Sequence, residues 1–299
     1  MRLTMMLFAG ASALVGLSAA APASAAGGCD RACLTGVMDR YVAQMIAHKP
    51  SRGVVAANAV VREDGRAVGA DGGWWRKITK VRGGQSFADP VSGQIFRYGV
   101  ADTSDGLRPV SLRLKAVGGK VTEAEMLVPT PGGPMNPANY ANLLEPDVLY
   151  EAPVPAARRS TRAQMQAIVL SYITAIGKHD PAGVPFGPRC DRYAAGTKFT
   201  NNIDLVTAPE TQEQLGKVTC GTSMINLKGQ DTVDRRVPIV DVEKGIAIGF
   251  FLIPHKERNP PNSTYGSEVF KIVDGKIRSI EELSKGVPLV EATGFGSGH

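Results

Sequence analysis

The sequence predicts an α+β protein built from two tandem units, and three observations carry that prediction. The stretch 30–50 (DRACLTGVMDRYVAQMIAHKP) recurs at 161–181 (TRAQMQAIVLSYITAIGKHDP), and one constant offset aligns Tyr41 with Tyr172, His48 with His179 and Pro50 with Pro181. Each copy is followed by short strand-like runs parted by turn signals, the pattern of an α+β unit and not of βαβ. A proline-rich stretch, 129–159, separates the copies. A repeat of such long period is a duplicated unit. With 299 residues, 43% of them hydrophobic, the chain can bury two ordinary cores. The expected organisation is a signal peptide at 1–25, a first unit at 29–128, a linker at 129–159, a second unit at 160–285 and a flexible tail at 286–299.

The chain opens on a targeting pattern. Arg2 is a charged n-region, 3–17 an apolar h-region, and Ala23-Ser24-Ala25 an A-x-A cleavage site. The apolar run is short and breaks at Pro22, which argues against a membrane anchor. Nothing else approaches the roughly 20 apolar residues of a membrane span. A periplasmic or secreted protein is expected.

In the first helix Leu34, Val37, Met38, Tyr41, Val42, Met45 and Ile46 recur at helical spacing; Met165, Ile168, Val169, Tyr172, Ile173 and Ile176 do so in the second. Asp30 and Thr161 are the N-caps, and Gln164 completes a capping box after Thr161. Both helices end at a His-x-Pro turn, because proline cannot continue a helix. In the first unit two strands at 59–63 and 66–70 flank Asp64-Gly65, a hairpin signal. A short helix at 72–79 precedes strands at 85–88, 95–100, 110–116 and 121–128. In the second unit Gly196 aligns with Gly65, and 209–216 reads as a short polar helix. Strands follow at 222–227, 236–241, 246–253, 267–273 and 276–282. The extra length of this copy is read as a loop at 255–266 (HKERNPPNSTYG), a candidate lid. Within the linker, 140–150 is apolar enough to lie along one unit as an arm.

Export makes the four cysteines candidates for oxidation. Of three pairings, the local one, Cys29 with Cys33 and Cys190 with Cys220, is expected. Zinc is the rival, but His48, His179, His255 and His299 fall in no ligand spacing. The formal charge of +6 is small and spread out, and aromatics make up 6%, so nucleic acid is not an expected partner. G-x-S-x-G, P-loop and H-E-x-x-H patterns are absent, and no cofactor or metal is expected.

Several tracts, taken in order, carry a resemblance: 30–33, Trp74-Trp75, 154–162 with its helix, 190–196, and 235–251 (RRVPIVDVEKGIAIGFF). The chain resembles the nuclear transport factor two-like, or SnoaL-like, superfamily, and within it a family of secreted tandem proteins. The resemblance implies two cone-shaped α+β barrels, each a curved antiparallel sheet wrapped around a long N-terminal helix. Members often dimerise through their sheets, so an internal pseudo-dimer or a homo-oligomer is implied. The superfamily holds ketosteroid isomerase, scytalone dehydratase, polyketide cyclases and many non-enzymatic binders. The expectation is a cofactor-independent lyase or isomerase acting on a small, partly apolar molecule; the alternative is a secreted ligand-binding or scaffolding module.

In enzymes of that superfamily a helix tyrosine points into the cone as a hydrogen-bond donor. Tyr41 and Tyr172 occupy such positions, with a core aromatic role as the competing reading. Trp74, Tyr98 and Tyr193 are the candidate pocket walls. Arg236 is a candidate for binding a carboxylate or enolate if it points inward, against a solvated strand edge. Asp241, five residues on, falls on the opposite face unless a bulge intervenes, and reads as a turn residue. His48 and His179 have a general base's chemistry, but turn formation accounts for them. The superfamily's acidic dyad finds no definite positions here, and the second unit, with its extra loop, is the favoured active copy.

Overall fold

The computed structural model describes residues 28–132, 135–202, 218–225 and 231–296. The expected signal peptide and the expected helix at 209–216 lie outside them. The fold is α+β, with two six-stranded sheets, one drawn from each half of the chain.

Helix α1, Arg31–Ile46, starts where Asp30 accepts a hydrogen bond from the Cys33 backbone N–H. Helix α3, Arg162–Lys178, starts at the full Thr161/Gln164 capping box. Between them lies one turn of helix, α2, at Val148–Glu151. Both long helices leave through a histidine in the left-handed conformation, His48 and His179 (φ 50° and 54°), which turns the chain before the proline.

The first sheet contains β1 (Val55–Glu63), β2 (Arg66–Ala67), β3 (Ile78–Asp89), β4 (Gln94–Thr103), β5 (Gly106–Val117) and β6 (Lys120–Leu127), in the order β2-β1-β6-β5-β4-β3. The second repeats it with β7 (Phe186–Ala194), β8 (Thr197–Lys198), β9 (Val233–Asp241), β10 (Ile246–His255), β11 (Asn262–Val273) and β12 (Lys276–Pro288). In each, a meander is closed by a parallel pairing of its last strand with the first, β1 on β6 and β7 on β12. Asp64-Gly65 and Ala195-Gly196 make the same tight turn, with positive φ at both residues.

Alternation along the strands sends side chains to two different cores. Inner-face residues such as Ala88, Ile95, Leu112 and Leu114 pack on α1, and Ala247, Phe270, Ile272 and Ile280 on α3. Outer-face residues, among them Phe87, Phe96, Val100, Ile248, Phe250 and Leu283, form a third core where the sheets meet. Strand β10 reads IAIGFFLIPH and is buried throughout, because helix covers one side and sheet the other. The linker belongs to this middle core: Met135, Tyr140, Leu143 and Tyr150 are buried in it. The apolar arm expected at 140–150 therefore packs between the halves.

Contacts between the halves are reciprocal. Arg31, at the start of α1, pairs with Asp241 at 2.6 Å, and the register-equivalent Arg162, at the start of α3, pairs with Asp89. The equivalent hydroxyls of Ser111 and Ser267 meet at 2.8 Å. At the centre Glu125 of β6 binds Arg113 at 2.6 Å and Arg236 of β9 at 2.7 Å, and accepts a hydrogen bond from the Tyr265 hydroxyl. Burial alone would raise the Glu125 carboxyl; Arg236 and Arg113 outweigh it and hold it down to about 2.

Several expectations are corrected. The segment expected as strand 222–227 is a helical turn over its described part, Thr222–Ile225. The short helix at 72–79 is a 3-10 turn, Gly73–Arg76, with Ile78 already in β3. The expected lid is mostly sheet: β10 and β11 pair without interruption from Ile246↔Lys271 to His255↔Asn262, which confines the turn to 256–261. Matching the registers equates Asp89–Gln94 with Asp241–Ile246, so most of the second copy's extra length precedes β9. The tail is not free either. Strand β12 runs to Pro288, Thr293 is fully buried on Asp234, and the Phe295 ring lies 4.4 Å from the Arg113 guanidinium.

Removing one member of a buried charge set leaves the others unpaired, at about 3–5 kcal/mol. Glu125→Ala is therefore expected to lower unfolding stability at pH 7 by that amount in chemical denaturation. Arg31→Ala, which removes a half-exposed guanidinium from the buried Asp241 carboxylate, is expected to cost less, about 1–3 kcal/mol. Similar losses in the two variants would show that the central set does not hold the halves.

Candidate functional site

The helix tyrosines are both buried, and their surroundings differ. Tyr41 stands edge-on to Trp75, ring centroids 5.1 Å apart. Tyr172 lies among Phe270 (5.0 Å) and Phe186 (6.2 Å), and its hydroxyl reaches a set of ionisable groups on the inner face of the second sheet. Arg192 comes from β7, Glu268 from β11 and Glu282 from β12, and all three are buried. Glu268 and Glu282 are direct cross-strand neighbours, and Arg192 pairs with Glu282.

Three atoms of this set are buried without a hydrogen-bond partner: the Tyr172 hydroxyl, Arg192 Nε and one carboxylate oxygen of Glu268. Tyr172 lies close enough to Glu268 for each to influence the other's protonation, and Arg192 lies close enough to act on both. Burial pushes the Glu268 carboxyl up to about 7, against the pull of Arg192 and of the Tyr172 hydroxyl. Burial, then the nearby Glu268, raises the Tyr172 phenol, so it stays protonated and able to donate.

The first unit shows what the fold does without this set. Where Glu268 faces Glu282, the first sheet has Leu112 facing Met126. Where Arg192 lies beside Ile280, it has Val61 beside Ala124. All four are ordinary members of the first core. One copy thus packs this layer with hydrocarbon while the other holds an arginine and two carboxylates there. An unpaired or partly paired charge inside a protein destabilises it, so packing does not account for the difference.

A depression of about 460 Å³ adjoins the set. It is lined by Asp180, Phe186, Asn201 and the Cys190–Cys220 disulfide. Phe186 also stacks edge-on to Tyr172, and Cys190 precedes Arg192 by two on the same face of β7. The helix side is closed: a Cβ on Gly249 would meet Val169 at 2.9 Å and Ile173 at 3.1 Å.

The remaining sequence candidates fall elsewhere. Arg236 neither faces the interior of the second unit nor lies on a solvated edge. It is buried on the outer face, bound to Glu125 and set over the Phe250 ring at 5.2 Å. The reason is a bulge around Pro238, where three residues of β9 oppose two of β10. That bulge also brings Asp241 round to the first half, where it meets Arg31 while capping the Lys244 backbone as a turn residue. Trp74 is half-buried between the ammonium groups of Lys77 and Lys285 and donates to Asp64. Tyr98 and Tyr193 are outer-face residues that line one cleft where the halves and the linker meet. His48 bonds the Trp75 carbonyl at 3.0 Å. Both expected disulfides are formed. Among the described residues no cluster fit to hold a metal ion occurs, and no helix is long and apolar enough to cross a membrane.

Residues 158–284 match the family model of a domain of unknown function, DUF8021. The match takes in all of α3 and the whole set of Tyr172, Arg192, Glu268 and Glu282. No curated protein matches the chain.

Glu268 has its pKa raised in the folded state, above its ordinary value of 4.5, so folding favours its protonated form. Its contribution is full below about 4.5 and is lost as pH rises through about 7. Glu268→Gln, neutral throughout, is expected to gain up to about 3 kcal/mol over wild type at pH 8 and nothing at pH 4.5. Denaturation curves at the two pH values test this; an equal effect at both would place the titration of Glu268 elsewhere.

Proposed function

We propose that the chain is a tandem SnoaL-like protein in which each sheet curves around its helix as a cone and the halves pack as an internal pseudo-dimer. Its second unit carries cofactor-independent lyase or isomerase chemistry on a small, partly apolar molecule. The observation that supports this most is the replacement of Val61, Leu112 and Met126 by Arg192, Glu268 and Glu282 at matching register positions, around a tyrosine kept in both copies. The two disulfides are consistent with work in an oxidising compartment, periplasmic or extracellular.

In this reading Glu268, poised near neutrality, takes a proton from a carbon next to a carbonyl or hydroxyl group. Tyr172 donates its hydrogen bond to the oxygen that gains charge, and Arg192, held by Glu282, adds a fixed positive field. Return of the proton to a second carbon completes an isomerisation, and departure of a leaving group completes an elimination. The alternative, a module that holds its ligand unchanged, draws on the same three unpartnered atoms.

Mass spectrometry of small molecules retained by the full oxidised chain identifies the ligand, and turnover of its precursor is then measured. Glu268→Gln is expected to lower turnover by at least about 100-fold and Tyr172→Phe by about 10- to 100-fold. Tyr41→Phe, in the apolar copy, is expected to leave it within about twofold. A ligand recovered unchanged, and retained equally by wild type and Glu268→Gln, would favour the binding module.

A further inference from the structure

The cleft between the halves is built around a carboxyl group whose counterpart elsewhere in the molecule shows what it lacks. It has a volume of about 480 Å³ and is lined by Tyr98 of the first unit, Tyr150, Asp147 and Glu145 of the linker, and Tyr193 and Glu281 of the second. Glu281 of β12 occupies the position of Glu125 in β6. Across the neighbouring strand Glu125 faces Arg113, whereas Glu281 faces Val269. The place of Arg236, opposite Phe250, is taken by Gln85, opposite Tyr98. Gln85 is committed elsewhere: its Nε2 donates to the Asp147 carbonyl at 2.9 Å and to Glu151 at 3.1 Å, and its Oε1 accepts from Tyr98.

Glu281 is thus a Glu125 without arginines. It is 6% exposed, and one of its oxygens accepts the Gly196 backbone N–H at 3.1 Å. Among the described residues no cation pairs with it, and it fronts the cleft. The other charges around the cleft are acidic, Glu145 and Asp147; its lysine, Lys198, is paired with Asp191 at 3.0 Å and lies over the Tyr193 ring. Each of the three cleft amides donates within the protein, Asn139 to Thr197, Asn142 to the Gly196 carbonyl and Asn202 to the Lys198 carbonyl. The walls are therefore rich in acceptors and aromatic rings, the lining that suits a cation.

We propose that this cleft binds a small organic cation, whose ammonium or guanidinium group takes beside Glu281 the place that Arg113 and Arg236 take beside Glu125. The site is separate from the set around Tyr172 and stands independently of the chemistry proposed there. Burial pushes the Glu281 carboxyl up to about 8, against the Gly196 N–H and the more distant Arg192, with Asp147 adding to the rise. The other titratable groups facing it are Tyr98, Tyr150 and Tyr193, all themselves raised by burial. A cation arriving there displaces the Glu281 proton, so binding is coupled to proton release.

Titration calorimetry of the full oxidised chain with agmatine, and with butane-1,4-diol as the uncharged comparison, tests the proposal. Agmatine is expected to bind and the diol not. Affinity is expected to weaken about tenfold for each pH unit below about 8 and to level off above it. Titrations in buffers of different ionisation enthalpy are expected to show about one proton released per agmatine at pH 7. Glu281→Gln is expected to weaken binding at least tenfold at pH 8 and to flatten the pH profile. The proton count needs no variant and decides the matter should Glu281→Gln not fold. Absence of agmatine binding, equal binding of the diol, a flat pH profile without proton release, or full affinity in a folded Glu281→Gln would each overturn it.

Discussion

The structure depends on one buried carboxylate. Glu125 lies on the outer face of the first sheet, where only the second sheet can cover it, and a charge so placed is tolerable only with cations at contact distance. One of its arginines is a strand neighbour, but the other, Arg236, comes from the second half. That division makes the face-to-face packing of the sheets obligatory, since either half alone would expose the middle core and strand part of the charge set. The remaining contacts follow from the same apposition. The mutual Arg31–Asp241 and Arg162–Asp89 pairs and the Ser111–Ser267 contact set the angle at which the two faces meet.

Duplication lets the two copies diverge in their interiors. The first packs hydrocarbon at the matching layer positions, with a tyrosine edge-on to a tryptophan, and its own raised carboxyl, Glu63, is bonded to the Trp74 backbone N–H at 2.9 Å. The second gives up apolar contacts for Arg192, Glu268 and Glu282, and tolerates the loss because the middle core, the first unit and the Cys190–Cys220 link stabilise the whole. The same divergence acts on the outer face. Matching positions hold Glu125 and Glu281, one neutralised by arginines and one left beside a cleft. Reading each copy as the other's control turns a duplicated fold into an internal comparison, in which ionisable residues stand out against the hydrocarbon that the same backbone accepts.

The elements governed by local rules were legible in the sequence. Helix starts followed from Asp30 and Thr161, helix ends from His-x-Pro, the hairpins from Asp64-Gly65 and Gly196, and the disulfides from proximity within each half. What escaped depended on pairing across long distances. The bulge at Pro238 turned Arg236 from an expected pocket residue into the partner of Glu125, and strict alternation gives no warning of it. The tail looked flexible because glycines dominate it, yet Phe295 caps the two arginines from above. Arg192, Glu268 and Glu282 were the costlier omission. The signal was present: extending the match of Gly119-Lys120-Val121 with Gly275-Lys276-Ile277 along the strands sets Leu112 against Glu268 and Met126 against Glu282. Helices show their faces by periodicity, whereas strand registers must be matched before a buried charge can be seen in its layer.

The far-downstream origin of Phe295, Arg236 and Tyr265 has a consequence for how the chain comes into being. A polypeptide emerges in order, and Glu125 emerges long before the groups that neutralise and cover it. Until β9, β11 and the Phe295 segment arrive, the outer face of the first sheet carries a carboxylate with half its counter-charge and an uncovered apolar surface. The first half therefore cannot reach its final state during synthesis, and closure waits for the last strands.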